Sequence, residues 1–580
     1  MKPNAPLPNW LLDRRLFLGM GLVSLAGCAK RLTRGQTPEA VDLDGEKKDG
    51  PDLVGDNTRP WGLNHVKLEA VALAKNLNDT GSDPPPSPLR QQLITEMQSH
   101  EIRNPDAILA SPTTSMVVLK AFLPPGVRKG DVLDVDVSCP SGSQTTSLKG
   151  GWVMQARMRQ VEVLGGELRS GSIDGLAEGD VLVDAIFDGT QDKVNSLRGR
   201  ILAGCTSRVT RDLGLAIRKE NATARLSSVI ANAINLRFSI FERGVKQGVA
   251  TAKRDNYLDL TVPPIYRNNL SHYLRVVRNI PLRETPVQRI ERMQILEKKL
   301  QEPATCAAAA IQLEAIGKEA VETLHKGLES RDPECRFYTA QALAYLDDPK
   351  APDVLRKIAE NEASFRWYAL TALSSMNHVS AYNALSEMLS SQSAESRYGA
   401  FRSIRTRSPD DPSTKGQIIN RAFYYHVISS TAEPMIHFTR RRRPEVVLFN
   451  SEQPLNLTES IMAGQGFVIK PVSAEQIRVS RFAPGMPDQQ ELCEPNVDAM
   501  IRAMAKMGAG YTDVIETLNE AKKLSALKAK IVVEAWPLPG RQFFKDEESQ
   551  ADQPPAENEE QPAETVAASV GNQPPAGLSP

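Results

Sequence analysis

A chain of 580 residues has room for three or four domains at roughly 150 residues each, so one compact unit is not expected. Lys plus Arg equals Asp plus Glu at 70 each, which argues against a nucleic-acid partner and gives no sign of an acidic substrate. The 6 cysteines include no Cys-x-x-Cys pair, which speaks against metal ribbons. Cys28 apart, Cys139, Cys205, Cys306, Cys335 and Cys493 form an odd set at irregular spacings, and their connectivity cannot be read.

At the N-terminus, Arg14 and Arg15 stand one residue ahead of Phe17 and Leu18, with Leu16 between, and an apolar run follows to Leu25-Ala26-Gly27-Cys28. A charged start, a short apolar stretch and small residues before a cysteine have the layout of a bacterial export signal, too short to span a bilayer. The Arg pair resembles a twin-arginine signal, although Asp13 replaces the usual Ser or Thr and the general export route stays open. Leu-Ala-Gly-Cys resembles a lipobox cleaved after Gly27, which would leave a lipidated Cys28 at the mature terminus. The opposite reading is a soluble protein with a chance apolar segment. Ala29 avoids the Asp that marks inner-membrane retention, which favours the outer membrane.

Residues 29–60 lack apolar periodicity and are expected to be a flexible tether. Short β-type runs separated by Gly and Pro, such as Met116–Leu123, Val132–Val137 and Val181–Val183, make residues 61–211 a β-rich domain. Helical spacing over Ala222–Phe238 and Asn268–Ile280, with an extended run between them, makes 212–284 a small α/β unit.

Residues 285–410 repeat. Segments beginning at Cys306, Arg336, Arg366 and Arg397 share Ala and Leu at helical spacing and recur about every thirty residues, which predicts stacked helix pairs resembling short HEAT-type repeats. The first segment lacks the Arg and aromatic residues of the other three. Arg336, Arg366 and Arg397 are read as a structural ladder, with ligand binding as the alternative, and the concave face of the solenoid as the surface for a protein partner. Residues 411–443 are a transition ending in Arg440, Arg441, Arg442 and Arg443, read as a solvated loop or as a contact to anionic lipid, glycan or a neighbouring subunit. Extended runs and two amphipathic helices fill 444–540, and 541–580, rich in Pro, Glu, Gln and Ala, is expected to be disordered.

Three separated blocks resemble the bacterial flagellar P-ring protein family. They are Val71–Gly81 with Leu119–Ser138 and Thr146–Gly151; Ala222–Phe238 with Val249–Ala252 and Leu258–Pro263; and Asn496–Gly508 with Asp513–Leu518 and Leu527–Val533. Two departures stand out: family members are cleaved periplasmic subunits without a lipid, and they lack a helical solenoid. The fold class expected is multidomain, with β-rich and α/β (α+β) P-ring-like domains interrupted by an all-α HEAT-like solenoid.

The resemblance implies a structural subunit of the periplasmic P-ring, a bushing around the flagellar rod, assembled from copies of itself and in contact with rod and L-ring proteins. The alternative is an envelope-anchored, non-flagellar scaffold whose solenoid recruits a protein. No enzyme, cofactor or metal is expected. The seven histidines are scattered, with no His-Glu-x-x-His, no Gly-x-Ser-x-Gly and no phosphate loop. Asp134 and Asp136 share one face of a strand and are read as solvated, and Thr80-Gly81 as a turn in which Gly supplies a positive φ.

Overall fold

Alternation decides the first half of the molecule. In the strand Ser115–Leu123 the residues Val117, Leu119, Ala121 and Leu123 are buried, whereas Lys120 and Phe122 are exposed, the two-residue period of a sheet with one covered face. The computed structural model describes residues 50–99, 101–164, 167–188, 193–483, 485, 487–541 and 543. Arg14, Arg15, Phe17, Leu18, Gly27, Cys28, most of the expected tether and the C-terminal tail apart from Arg541 and Phe543 lie outside them.

Strands Val66–Lys75, Ser115–Leu123, Val132–Ser138, Trp152–Leu164, Glu167–Asp180 and Arg198–Ser207 pair antiparallel. Because Val132–Ser138 pairs both with Ser115–Leu123 and with Arg198–Ser207, the sheet closes on itself as a barrel. Closure removes the free edges that an open sheet exposes. The helix Pro88–Ser99 packs on the barrel strand Val66–Lys75 through Leu93, Ile94 and Met97. It follows the Pro-rich stretch and was not expected from the β-type pattern around it.

A second, four-stranded sheet orders Thr58–Trp61, Leu213–Ile217, Tyr257–Leu260 and Ala250–Ala252. The helix Ala224–Arg237, capped by Thr223, packs against two of its strands. Here the tether expected over 29–60 is corrected at its end: Val54 and Thr58 are fully buried and Thr58–Trp61 is a strand of this sheet. Within 50–60 the large apolar residues are Leu53 and Val54 alone, too sparse for periodicity to reveal.

Helices Pro286–Leu300, Cys306–Ile316, Val321–Leu328, Pro333–Tyr345, Ala351–Asn361, Ala363–Ser375, Val379–Met388 and Ala394–Arg407 form the repeats. The helices bearing the repeated motif are covered on nearly all sides; every residue of Glu334–Tyr345 except Arg336 is buried. Small side chains permit this, since Ala340, Ala342, Ala344, Ala369 and Ala372 are all buried and Gly399 lies where a Cβ would meet Leu370 at 2.3 Å. The alternate helices Val321–Leu328, Ala351–Asn361 and Val379–Met388 bury one stripe only, including Leu324, Leu355, Ile358 and Leu385.

After the repeats comes a five-stranded mixed sheet ordered Gln417–Ile419, Phe423–Ile428, Glu445–Phe449, Met435–Phe438, Lys530–Val533. A four-stranded meander from Ile461 to Cys493 and the helices Val497–Lys506 and Tyr511–Lys523 complete it. The expected transition over 411–443 therefore holds three strands. Met435–Phe438 is buried at every position, so no alternation marks it.

The barrel and the part of the chain beyond the repeats are not packed as independent bodies. One apolar core joins Leu68, Leu119, Met158, Ile201 and Cys205 of the barrel to Phe438, Leu448, Ile501, Val514 and Leu518 beyond the repeats. Residues from Gly50 to Arg541 belong to one compact unit.

Candidate functional site

The polar chemistry of this chain gathers at three joints where the helical repeats meet the rest of the molecule. At the entry joint, Glu314 of the first motif helix is fully buried. It accepts a hydrogen bond from Tyr266 Oη at 2.8 Å and lies 2.8 Å from His272 Nε2. Arg275 lies 3.4 Å from His272 Nδ1, which makes Nδ1 the acceptor and Nε2 the proton-bearing atom toward Glu314. Burial pushes the His272 pKa down and the Glu314 carboxylate opposes it; the net shift is downward. Arg237 closes the helix end by donating to the carbonyls of Glu314 and Ala315 at 2.8 and 3.1 Å. Tyr266 and His272 both stack on Tyr345, with centroids 4.8 and 4.3 Å away.

At the exit joint Glu445 is fully buried among Tyr398 Oη at 3.1 Å, Arg443 at 3.0 Å, His426 at 3.5 Å and Arg402 at 3.6 Å. Burial opposes its ionisation. The close approach of His426 and the charges of Arg402 and Arg443 outweigh that cost and hold the carboxyl well below its ordinary range. His437 stacks on Tyr398 and accepts from the Ala535 amide at 2.9 Å, and burial pushes its pKa down to about 3.

The third joint is a strap across the motif helices. Gly540 donates its amide to Tyr368 Oη at 3.2 Å, while Arg541 and Arg366 both donate to Glu395 Oε2 at 2.8 Å. The motif helices are thus covered in part by this chain's own residues. The outer helices keep exposed Glu322, Lys326, Asp353, Lys357, Asn383 and Glu387.

The recurring arginines reach backward. Arg366 Nε donates to the carbonyl of Ala359 at 2.8 Å, Arg397 Nε to that of Ser391 at 2.8 Å, and Arg336 to those of Ser330 and Arg331 at 2.9 Å. Each cation meets the unsatisfied carbonyls at or just past the end of the preceding helix. Arg397 also donates to the carbonyl of Glu433, next to the exit joint.

The Arg440–Arg443 run faces the barrel rather than open solvent alone. Arg440 pairs with Asp184 at 3.2 Å and lies over Phe187, and the Arg442 amide donates to Asp134 at 2.6 Å. Arg443 reaches Glu445 and lies over Tyr424, its guanidinium carbon 4.1 Å from the ring centre. Arg441 is exposed. Asp134 and Asp136, read as solvated, are engaged: Asp134 also accepts from the Ala203 amide, and Asp136 pairs with Arg200 at 2.8 Å. The turn reading of Thr80-Gly81 is corrected too. Asp79 takes the left-handed backbone at φ 55, while at Gly81 a Cβ would meet the Thr114 carbonyl oxygen at 2.0 Å, so close approach is what demands glycine.

Glu314, Glu445, His272 and His437 were missed as singled-out sites, since an isolated acid or imidazole within an apolar helix or strand carries no spacing signal. Among the described residues no group of three or more His, Cys, Asp or Glu could hold a metal ion. No described helix is long and apolar enough to cross a membrane.

Residues 55–295 match the family model described as flagellar P-ring protein, and residues 292–365 match that of HEAT repeats. Curated relatives carry the same description. The chain is 30% identical over 199 residues to the flagellar P-ring protein of Ralstonia nicotianae, covering 32% of this chain and 51% of that one. It is 24% identical over 235 residues to that of Helicobacter acinonychis, 40% of this chain and 61% of that one. For Escherichia fergusonii the figures are 26% over 247 residues, 40% and 62%. The chain thus spans between about half and three-fifths of the length of these relatives. The resemblance inferred from the first two sequence blocks falls within the matched residues, and the helical repeat begins where the P-ring match ends. The third block, 496–533, lies beyond them.

Proposed function

We propose that this chain is a structural subunit of a flagellar basal-body P-ring, a bushing around the rod, with a HEAT-like segment built into the subunit. The observation that carries this reading is the single apolar core shared by the barrel, which lies within the P-ring match, and the strands and helices that follow the repeats. A P-ring-like body interrupted by a solenoid accounts for it; a solenoid appended to an unrelated domain does not. No chemical step is needed. The matched family is a structural one, and the polar groups described above are spent on joints.

In this proposal the subunit reaches the periplasm through the Arg14-Arg15 signal. Cys28 carries a lipid that holds it at a membrane, with the outer membrane favoured. Copies assemble head to tail, because a ring of identical subunits requires heterologous contacts, and the ring contacts rod and L-ring proteins. The outer helices of the repeats remain for a further protein partner. The second reading, an envelope-anchored scaffold without a flagellar ring, is favoured by the solenoid itself and by the partial coverage of the relatives. Electron microscopy of the heaviest sedimenting fraction of detergent-extracted native protein separates the two. Closed rings are expected; monomers or small oligomers from cells that are assembling flagella would overturn the ring and leave the scaffold.

A further inference from the structure

The segment Ser239–Gly248 is a β-hairpin that belongs to no larger sheet. Its strand Ser239–Glu242 pairs with Val245–Gly248, and among the described residues neither strand pairs with any other. Arg243 at φ 50 and Gly244 at φ 81 form a two-residue turn whose twist suits a hairpin. Every residue from Phe241 to Gly248 is exposed, Phe241 at 76% and Val245 at 61%, and the cations Arg243 and Lys246 are among them. Two strands alone are marginal in water, and a phenylalanine held out on such an arm forgoes the burial that would stabilise it. The arm thus has two open edges and an apolar surface with nothing over it.

A complementary edge lies beyond the repeats. In the meander, Gln489–Cys493 is the last strand, paired on one side with Gln476–Arg481 and, among the described residues, with no strand on the other. A cleft of about 700 Å³ opens at its end, with Leu492, Glu475 and Glu494 among its walls. Leu492 is 51% exposed, and both carboxylates are exposed as well. An uncovered edge offers a row of amides and carbonyls that a further strand can satisfy. Cations and apolar side chains therefore stand on the arm, and acids and a leucine beside the open edge.

We infer that the hairpin Ser239–Gly248 of one copy adds as an extra pair of strands to the edge Gln489–Cys493 of the next copy. The inference rests on the reading of the chain as a self-assembling subunit and names the two surfaces that join. Backbone hydrogen bonds along the edge supply affinity, and Phe241 and Val245 gain apolar cover from the surface around Leu492. Arg243 and Lys246 meet Glu475 and Glu494, which selects this edge over the others. Because arm and edge are different parts of the chain, each copy that donates an arm still has its own edge free for another neighbour. Such a contact is heterologous, as a ring of identical subunits requires.

The test places the photoreactive residue benzoylphenylalanine at position 241 of the full-length chain, irradiates the detergent-extracted protein and maps the joined peptides. Expected is a product of two copies in which position 241 is linked to the segment 474–496. As a second readout, Arg243→Glu combined with Lys246→Glu should remove the heavy sedimenting fraction, and adding Glu475→Lys with Glu494→Lys to the same chain should restore it. All four positions are exposed, so these chains should keep the thermal midpoint of wild type. Closed rings whose crosslinks from 241 map elsewhere, or that survive the charge reversal, overturn this inference and leave the ring reading standing. Crosslinks from 241 to 474–496 in oligomers that are not closed rings keep the contact and overturn the ring. Monomers throughout overturn both.

Discussion

Glu445 shows what a buried charge costs and what holds it. Removing it leaves Arg402 and Arg443 facing a carboxylate that no longer exists, inside a joint closed to water. Breaking one partner of such a cluster costs about 3–5 kcal/mol. Glu445→Ala is therefore expected to lower the stability of the chain by that order in chemical denaturation. Glu395→Ala, at the more exposed strap, should lower it less. The histidines set the pH dependence. Folded His437 titrates at about 3 instead of its ordinary 6.5, so below pH 6.5 the unfolded chain takes up a proton that the folded chain refuses. Stability is intact above pH 6.5 and falls as the pH drops from there toward 3. At pH 5 the loss from this one group is about 2 kcal/mol, since one pH unit corresponds to about 1.4 kcal/mol. His272 acts in the same direction. Glu445 adds to the loss only below its ordinary 4.5, where the unfolded carboxyl protonates first. The thermal midpoint of His437→Gln should accordingly fall less between pH 7 and pH 5 than that of wild type; equal slopes would show that His437 does not carry the effect.

At the scale of the helix, the recurring arginines are caps whose value follows their burial. Arg366 and Arg397 are 5% and 3% exposed and donate to helix-end carbonyls, whereas Arg336 is only half-buried. A hydrogen bond involving a charged group contributes about 1.5–3 kcal/mol when shielded from water. Arg366→Ala, which also loses Glu395, should cost about 3 kcal/mol, and Arg336→Ala about 1 kcal/mol. Unfolding of the two variants by urea checks the order; a larger loss for Arg336→Ala would refute the capping account. The sequence showed these arginines as periodic. It did not show their targets, because the carbonyls they meet belong to the end of the preceding helix, a place that spacing alone does not define.

At the scale of the whole molecule, the barrel and the segments after the repeats share one core, so the solenoid is tied at both ends. Shortening it by one repeat, by removing residues 336–365, would displace the exit joint from the barrel. Such a chain should lose the cooperative unfolding of wild type and expose apolar surface, measurable as dye binding at neutral pH. If it unfolds in one transition with an unchanged midpoint, the core is not shared in the way described. A chain truncated after residue 295 keeps the whole P-ring match yet loses Phe438, Leu448, Ile501 and Val514 from the barrel's apolar cluster. It should be insoluble or partly folded. At the other end of the chain, Cys28→Ser should abolish lipid labelling and shift the protein from the membrane to the soluble fraction.

The sequence by itself determined the helices of the repeats, the helix Ala224–Arg237, the two helices after Asn496 and several strands, because amphipathic spacing and the repeat of Ala, Leu and Arg are local properties of the chain. It also determined the likeness to the P-ring pattern, because that lies in the order of short blocks. Only the tertiary structure decided that the barrel closes, that Thr58–Trp61 and Met435–Phe438 are strands, and that the polar residues of interest are Glu314, Glu445, His272 and His437. These depend on contacts between residues far apart in the chain. A buried carboxylate is recognisable only by the partners that surround it, and those partners come from elements that no local pattern links.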